Sequence, residues 1–214
     1  MSGEIQMQFN KNDKILIIGD SITDAWRRAD PEQVGQGYFR MIRDYYLASY
    51  PELHLQFINK GVDGNRVTDL LERWHEDVLR LQPNLVSVMI GINDVWRQLD
   101  CPDMEQVYPD TFRDTYKKLL TSLKEQTNAE IVLMEPTVME EKLDSTGNEL
   151  LKEYVSIVNE VAGEFDAILV PTNKSFRQYL ENDNVPRLTT DDVHLNSIGN
   201  TLLAKTWIKA VSEE

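Results

Sequence analysis

Cysteine is nearly absent: Cys101 is the single one in 214 residues. No intrachain disulfide can form. With a polar N-terminus carrying Glu4 in place of an apolar signal segment, the expected setting is the reducing cytoplasm. Histidine is scarce too, at three copies, so imidazole chemistry has only three candidates. No apolar run approaches the roughly 20 residues that a membrane-spanning helix needs, so no membrane partner is expected. Cations are outnumbered: 22 Lys and Arg stand against 36 Asp and Glu, a net charge of −14. Phosphate backbones are held by clustered Lys and Arg, so this balance argues against nucleic acid as a partner. It leaves a neutral or cationic substrate open and makes a self-repelling, soluble surface. Repeats, low-complexity tracts and Pro/Gly-rich linkers are also missing, so one domain over residues 1–214 is expected.

The chain does have five short apolar runs: Ile15 to Ile18, Leu53 to Ile58, Leu85 to Ile90, Ile131 to Met134 and Ala167 to Val170. Segments of helical spacing separate them. Tyr38, Met41, Ile42 and Tyr45 share one face; Val67, Leu70, Leu71, Trp74 and Val78 another. Phe112, Tyr116, Leu119, Leu120 and Leu123 repeat the pattern, as do Leu150, Leu151, Tyr154, Val158 and Val161. Ile198, Leu202, Leu203 and Ile208 complete the set. Alternation of these two periods predicts an α/β fold with a parallel sheet covered on both faces.

In such sheets ligands bind beyond the carboxyl ends of the strands. The first three runs end in small, polar, glycine-bearing stretches: Gly19-Asp20-Ser21, "NKGVDGN" at Asn59 to Asn65, and "GIND" at Gly91 to Asp94. The topology brings these to one rim. A serine hydroxyl there is a weak nucleophile unless a base takes its proton. His54 opens the second run and reads as an edge or packing residue; His75, beside Trp74 but off the apolar stripe, reads as solvated. His194 lies in "TTDDVHLNSIGN" with Asp191 three residues ahead. Three residues make about one tight turn, so the carboxylate can hold one imidazole nitrogen and leave the other for Ser21. Asn196 or Ser197 can cap the helix that follows. The alternative is an acidic pair favouring that helix's dipole, with His194 on the surface.

Acyl transfer also needs donors aimed at the oxygen that becomes negative. The backbone N–H of Ser21, the backbone N–H of Gly64 and the side-chain amide of Asn93 are the candidates. On the substrate side stand Trp96, two residues past "GIND", and Trp26, five past Ser21. Asp20 joins this group, although like Asp94 it also reads as a brace for its loop. Trp74 reads as core. Arg27, Arg28, Arg66 and Arg97 read as a solvated rim.

These residues carry a family resemblance. Gly19-Asp20-Ser21, "NKGVDGN", "GIND" and "DDVH", in that order, resemble four blocks of the SGNH hydrolases, or GDSL-like esterases. "IGDSITD", "NKGVDGNRVTDL" and "IGINDVWRQ" look like the subgroup containing intracellular acetylxylan esterases. The resemblance implies a three-layer α/β/α, flavodoxin-like fold with a five-stranded parallel sheet. It implies Ser21 as nucleophile, Asp191 and His194 as its triad partners, and Ser21, Gly64 and Asn93 as the oxyanion hole. It further implies deacetylation of small carbohydrates such as xylo-oligosaccharides, with no metal and no organic cofactor, and it admits a homo-oligomer. The chain departs from the pattern at Ile22, where the family name has Leu, and at Leu195, where proline is frequent. "PRLTT" before Asp191 lacks an expected aromatic. The rivals are a lysophospholipase or thioesterase acting on lipid, and a catalytically silent carbohydrate-binding protein. A nucleotide-binding domain fails on motif, since neither Gly-x-Gly-x-x-Gly nor a Walker A sequence is present.

Overall fold

Each apolar run produces one strand. The computed structural model describes residues 9–212. In it Lys14–Gly19 (β1), Gln56–Gly61 (β2), Leu85–Met89 (β3), Glu130–Met134 (β4) and Ile168–Val170 (β5) form one all-parallel sheet. Its order is β2-β1-β3-β4-β5. The chain leaves β1 in one direction to make β2 and returns across it to make β3. The reversal of strand order therefore lies at the carboxyl ends of β1 and β3, where ligand crevices form in such sheets.

The second run enters the sheet late. Pro51 opens a 3-10 turn through Leu53, and His54 closes it in the left-handed region at φ 50°. Proline's fixed φ suits the first position of such a turn. His54 is consequently an exposed turn residue and not a strand edge. The strand then runs on through Asn59 and Lys60 to Gly61, which pairs in register with Gly19.

Helices Tyr38–Ser49 (α2), Thr172–Leu180 (α7) and Ser197–Ser212 (α8) pack together over one face of the sheet. Val67–Asp77 (α3), Pro109–Gln126 (α5) and Thr146–Glu164 (α6) pack together over the other. Two short helices stand at the rim, Ser21–Asp24 (α1) directly after β1 and Ile92–Asp100 (α4) directly after β3. The three-layer expectation holds, and α1, α4 and α7 are additions to it. Their apolar patterns are too short to rise above the loops around them. Among the described residues no helix is long and apolar enough to cross a membrane.

Ile15 to Ile18 are wholly buried, as strands covered on both faces require. The α5 stripe from Phe112 to Leu123 is buried throughout. On α2 the face is turned by one residue: Tyr46 is buried, while Tyr45 is exposed. Leu71 and Leu150, assigned to stripes, are exposed at their borders. Trp207, absent from the predicted stripe of α8, is fully buried and donates its indole N–H to Ser87 Oγ of β3 at 3.0 Å. Burial of an indole that also needs its N–H satisfied makes this pair a fixed peg between α8 and the sheet.

A buried carboxylate ties α4 to α3. Asp94 accepts the N–H of Val67, the first residue of α3, at 3.1 Å, and its other oxygen has no protein partner. Burial pushes its pKa from 3.8 up to about 8, against the pull of the Val67 N–H. A folded-state value above the unfolded one means the native protein holds the proton more tightly. Its contribution is therefore complete at low pH and is lost as pH rises from about 4 toward 8. Asn is a neutral isostere that keeps the acceptor for Val67. Asp94→Asn is expected to melt higher than wild type at pH 8, with a gap that shrinks on going to pH 5; melting curves at both values check this, and a gap independent of pH contradicts it.

Candidate active site

The site is built from the ends of β1, β2 and β3 together with the loop before α8. Ser21 is the first residue of α1, so its N–H has no intrahelical acceptor. Asp20 caps that single turn: its carboxylate accepts the N–H of Ile22 at 3.0 Å, and the residue is 1% exposed. Burial pushes the Asp20 pKa up to about 7, with the Ile22 N–H and His194 pulling the other way. Assignment of Asp20 to the substrate side is thereby corrected, since its side chain is spent on the turn that presents Ser21.

His194 stands across from Ser21. Its Nε2 lies 3.0 Å from Ser21 Oγ, and its Nδ1 lies 2.7 Å from Asp191 Oδ2. The other Asp191 oxygen accepts the N–H groups of His194 at 2.7 Å and Val193 at 3.2 Å. One carboxylate thus closes its own turn and anchors the imidazole, which is how the Asp-x-x-His spacing acts. Burial works against the Asp191 charge, but the bonds from His194 and the two N–H groups prevail and hold its carboxyl below the usual range.

The loop carrying this pair is fixed at both ends. Glu141 accepts from the N–H groups of Leu188 and Thr189, at 2.8 and 2.9 Å, and from the Thr189 hydroxyl at 2.6 Å. On the far side Asn196 caps α8, accepting from Ile198 at 2.9 Å and Gly199 at 3.1 Å. Asn200 of α8 accepts the N–H of Tyr38, the first residue of α2, at 2.8 Å.

The "NKGVDGN" stretch sits opposite. Gly64 has φ +74°, the left-handed region, and a Cβ built there would meet nothing within 4 Å. The backbone conformation, not crowding within the protein, is what calls for glycine. Asn93 is buried, and its amide donates to Asn65 O at 3.1 Å. An amide has two N–H groups, so one remains for a ligand.

Arg73 binds three of these pieces together. Its guanidinium donates to Asn65 Oδ1 at 2.7 Å, Lys60 O at 2.9 Å and Gly19 O at 3.1 Å. Asn59 adds a second tie, donating to Thr23 O at 2.8 Å and Val34 O at 2.9 Å. Sequence reasoning missed Arg73, Asn59 and Glu141. Asn59 lies inside a motif that was recognised, and Arg73 sits beside the Trp74 stripe one helix behind it. Nothing local marks Glu141.

These groups open onto one cleft of about 960 Å³, whose lining includes Ser21, Trp26, Gly64, Asn93, Trp96 and His194. The Trp96 ring lies 6.3 Å from the His194 ring, and the Arg97 guanidinium stands 5.5 Å from the Trp96 centroid. Trp26 is 75% exposed at the cleft edge. Arg28 and Arg97 also line it, whereas Arg27 and Arg66 donate to the backbone at Gly61 and Glu105. His75 is exposed as expected, and Trp74 is core. A hydroxyl, an imidazole and a carboxylate in hydrogen-bonded sequence, facing neutral amide donors, can carry out acyl transfer.

Known proteins agree with this chemistry. Residues 17–202 match the GDSL-like Lipase/Acylhydrolase family. An acetylxylan esterase from Geobacillus stearothermophilus is 36% identical over 216 residues, spanning 97% of this chain and 98% of its own. The crystal structure of that organism's acetylxylan esterase Axe2 superposes with a TM-score of 0.89 at 36% identity, again over 97% and 98% of the two chains. LAE5, an α/β hydrolase from the metagenome of Lake Arreo in Spain, matches with a TM-score of 0.89 at 32% identity, over 96% of this chain and 97% of its own. The chain therefore belongs to the GDSL-like lipase/acylhydrolase family of carboxylic ester hydrolases.

Proposed function

We propose that this chain is a serine esterase that removes acetyl groups from small carbohydrates, xylo-oligosaccharides foremost. The observation that carries the mechanism is the 3.0 Å contact of His194 Nε2 with Ser21 Oγ, made while Nδ1 is held by Asp191. Likeness to the Geobacillus acetylxylan esterase along nearly the whole chain supports the substrate class. A cytoplasmic setting belongs to the same reading, supported by the lone, unpaired Cys101.

In this reading Ser21 Oγ attacks the ester carbonyl carbon as His194 takes its proton. The carbonyl oxygen becomes negative and is met by the N–H groups of Ser21 and Gly64 and the free N–H of Asn93. The C–O bond to the sugar then breaks, and His194 returns the proton to the departing hydroxyl. Water repeats the sequence on the acyl-enzyme: His194 takes its proton, the new C–O bond forms, and Ser21 leaves with the proton restored. Asp191 keeps Nδ1 protonated and steadies the imidazolium. Ester and water become acid and alcohol, so no electron acceptor enters. Trp96 lines the cleft beside His194, next to the reacting groups.

Ser21→Ala is expected to abolish hydrolysis of an activated acetate ester while its melting temperature stays with wild type; retained turnover sinks the mechanism. Asp191→Asn keeps the geometry but presents the wrong hydrogen-bond partner to Nδ1, and kcat is expected to fall by about 10³- to 10⁴-fold. A panel of acetyl, butyryl and octanoyl esters is expected to show kcat/KM falling steeply with chain length. A preference for the octanoyl ester would favour a lipid acyl hydrolase instead.

A further inference from the structure

Trp26 is the largest exposed apolar side chain at the cleft, at 75% exposure. An indole in that position adds nothing to the core. Its backbone is also unfavourable: Trp26 has φ 66°, and Ala25 before it has φ 41°. Two consecutive non-glycine residues in the left-handed region each cost free energy, and for a bulky residue this is a true outlier. Such strain persists only where the surroundings over-determine it, and it collects at binding sites.

The surroundings here do so. The Ala25 N–H donates to Ser21 O at 2.9 Å, and Ala25 O accepts from the Gln36 N–H at 2.7 Å. The Trp26 carbonyl accepts from the Ala29 N–H at 3.1 Å. Arg27, the next residue, donates to Gly61 O at 3.0 Å. A second loop lies directly on the turn at Gly35, where φ is +82° and a Cβ would come within 2.5 Å of Asp24 O. The turn is therefore a rigid bracket, and what it presents to solvent is the indole.

The cleft has a use for a flat aromatic face there. Trp96 and Trp26 are its aromatic carbocyclic linings. Trp96 is committed beside His194, 6.3 Å away between ring centres. On the loop before Asp191 the cleft is lined by Thr190, so that side offers no ring. Polar groups, among them Arg28, Asp63 and Asn196, line the same cleft. A flat apolar face flanked by hydrogen-bonding groups suits a pyranose, which has C–H faces and hydroxyl edges.

We propose that Trp26 is a sugar-stacking platform for a ring beyond the one that bears the ester, and so makes this enzyme prefer oligosaccharides to acetylated monosaccharides. The proposal rests on the carbohydrate-esterase reading and adds the residue that sets substrate length.

The test uses the full chain with Ser21→Ala, so that ligand is not consumed, and compares it with the same protein carrying Trp26→Gly. Glycine accepts the φ of position 26 without strain, so the variant is expected to melt no lower than its parent. By calorimetry the Kd of acetylated xylotetraose is expected to rise about tenfold, a stacking contact's worth, and Trp26→Phe to recover most of it. In the catalytically intact protein, kcat/KM for that oligosaccharide relative to acetylated xylose is expected to fall by a similar factor, entirely through KM. An unchanged Kd, or a fall carried by kcat, overturns the platform while leaving the esterase reading in place. A Ser21→Ala protein that binds no xylo-oligosaccharide overturns both.

Discussion

Everything in the site depends on one hydrogen bond, from Ser21 Oγ to His194 Nε2, between residues 173 positions apart. Neither partner is useful alone. A serine hydroxyl is a poor nucleophile at neutral pH, and an imidazole on a surface loop takes protons mainly from water. The fold's task is to bring the first strand's end and the last helix's beginning to 3.0 Å and keep them there. The parallel sheet meets most of that cost in chain entropy, because β1 and the helices around it are fixed by burial of a large apolar core. What remains is local aim, which polar side chains supply.

Those side chains form a set of braces with little sequence logic of their own. Asn200 joins α8 to α2, Glu141 holds the stretch before Asp191, and Arg73 draws the carbonyls of Gly19 and Lys60 and the side chain of Asn65 toward one guanidinium. Each is worth about 1 kcal/mol or somewhat more as a hydrogen bond, since two of the three acceptor sets involve a charged partner. Their larger effect is geometric. A nucleophile, a base and amide donors that are each displaced by an ångström lose far more in rate than the fold loses in stability.

The parts legible in the sequence are those whose chemistry is local. Apolar runs predicted all five strands because buried parallel strands need continuous apolar sequence. The contact of Asp191 with His194 was legible because they lie one turn apart, and the place of Ser21 at the cleft because a Gly-Asp-Ser turn after a buried strand puts its hydroxyl at the rim. Gly64 and Asn93 were expected at the site from their places after strands, and both line the cleft with Ser21; the left-handed φ of Gly64 is what calls for glycine there. Illegible were the features set by distant partners. Trp207 was missed because its face of α8 is defined by Ser87 on β3. Tyr45 and Tyr46 exchanged places because two adjacent tyrosines carry the same helical signal. Of the two readings of Asp20 the brace holds and the substrate-side one falls, because the Ile22 N–H claims its carboxylate and proximity to Ser21 in the chain says nothing of which way that group points. His54 was placed on a strand because the turn at Pro51 interrupts a run that looks continuous.

The most direct test of the account is the rate at which a fluorophosphonate labels this protein. Such a reagent reports the nucleophilicity of a serine hydroxyl without requiring any particular substrate. The native protein is expected to take up one equivalent on the peptide containing Ser21, and His194→Ala to react slower by about three orders of magnitude. Equal rates in the two proteins, or label found on another peptide, would contradict the claim that His194 activates Ser21.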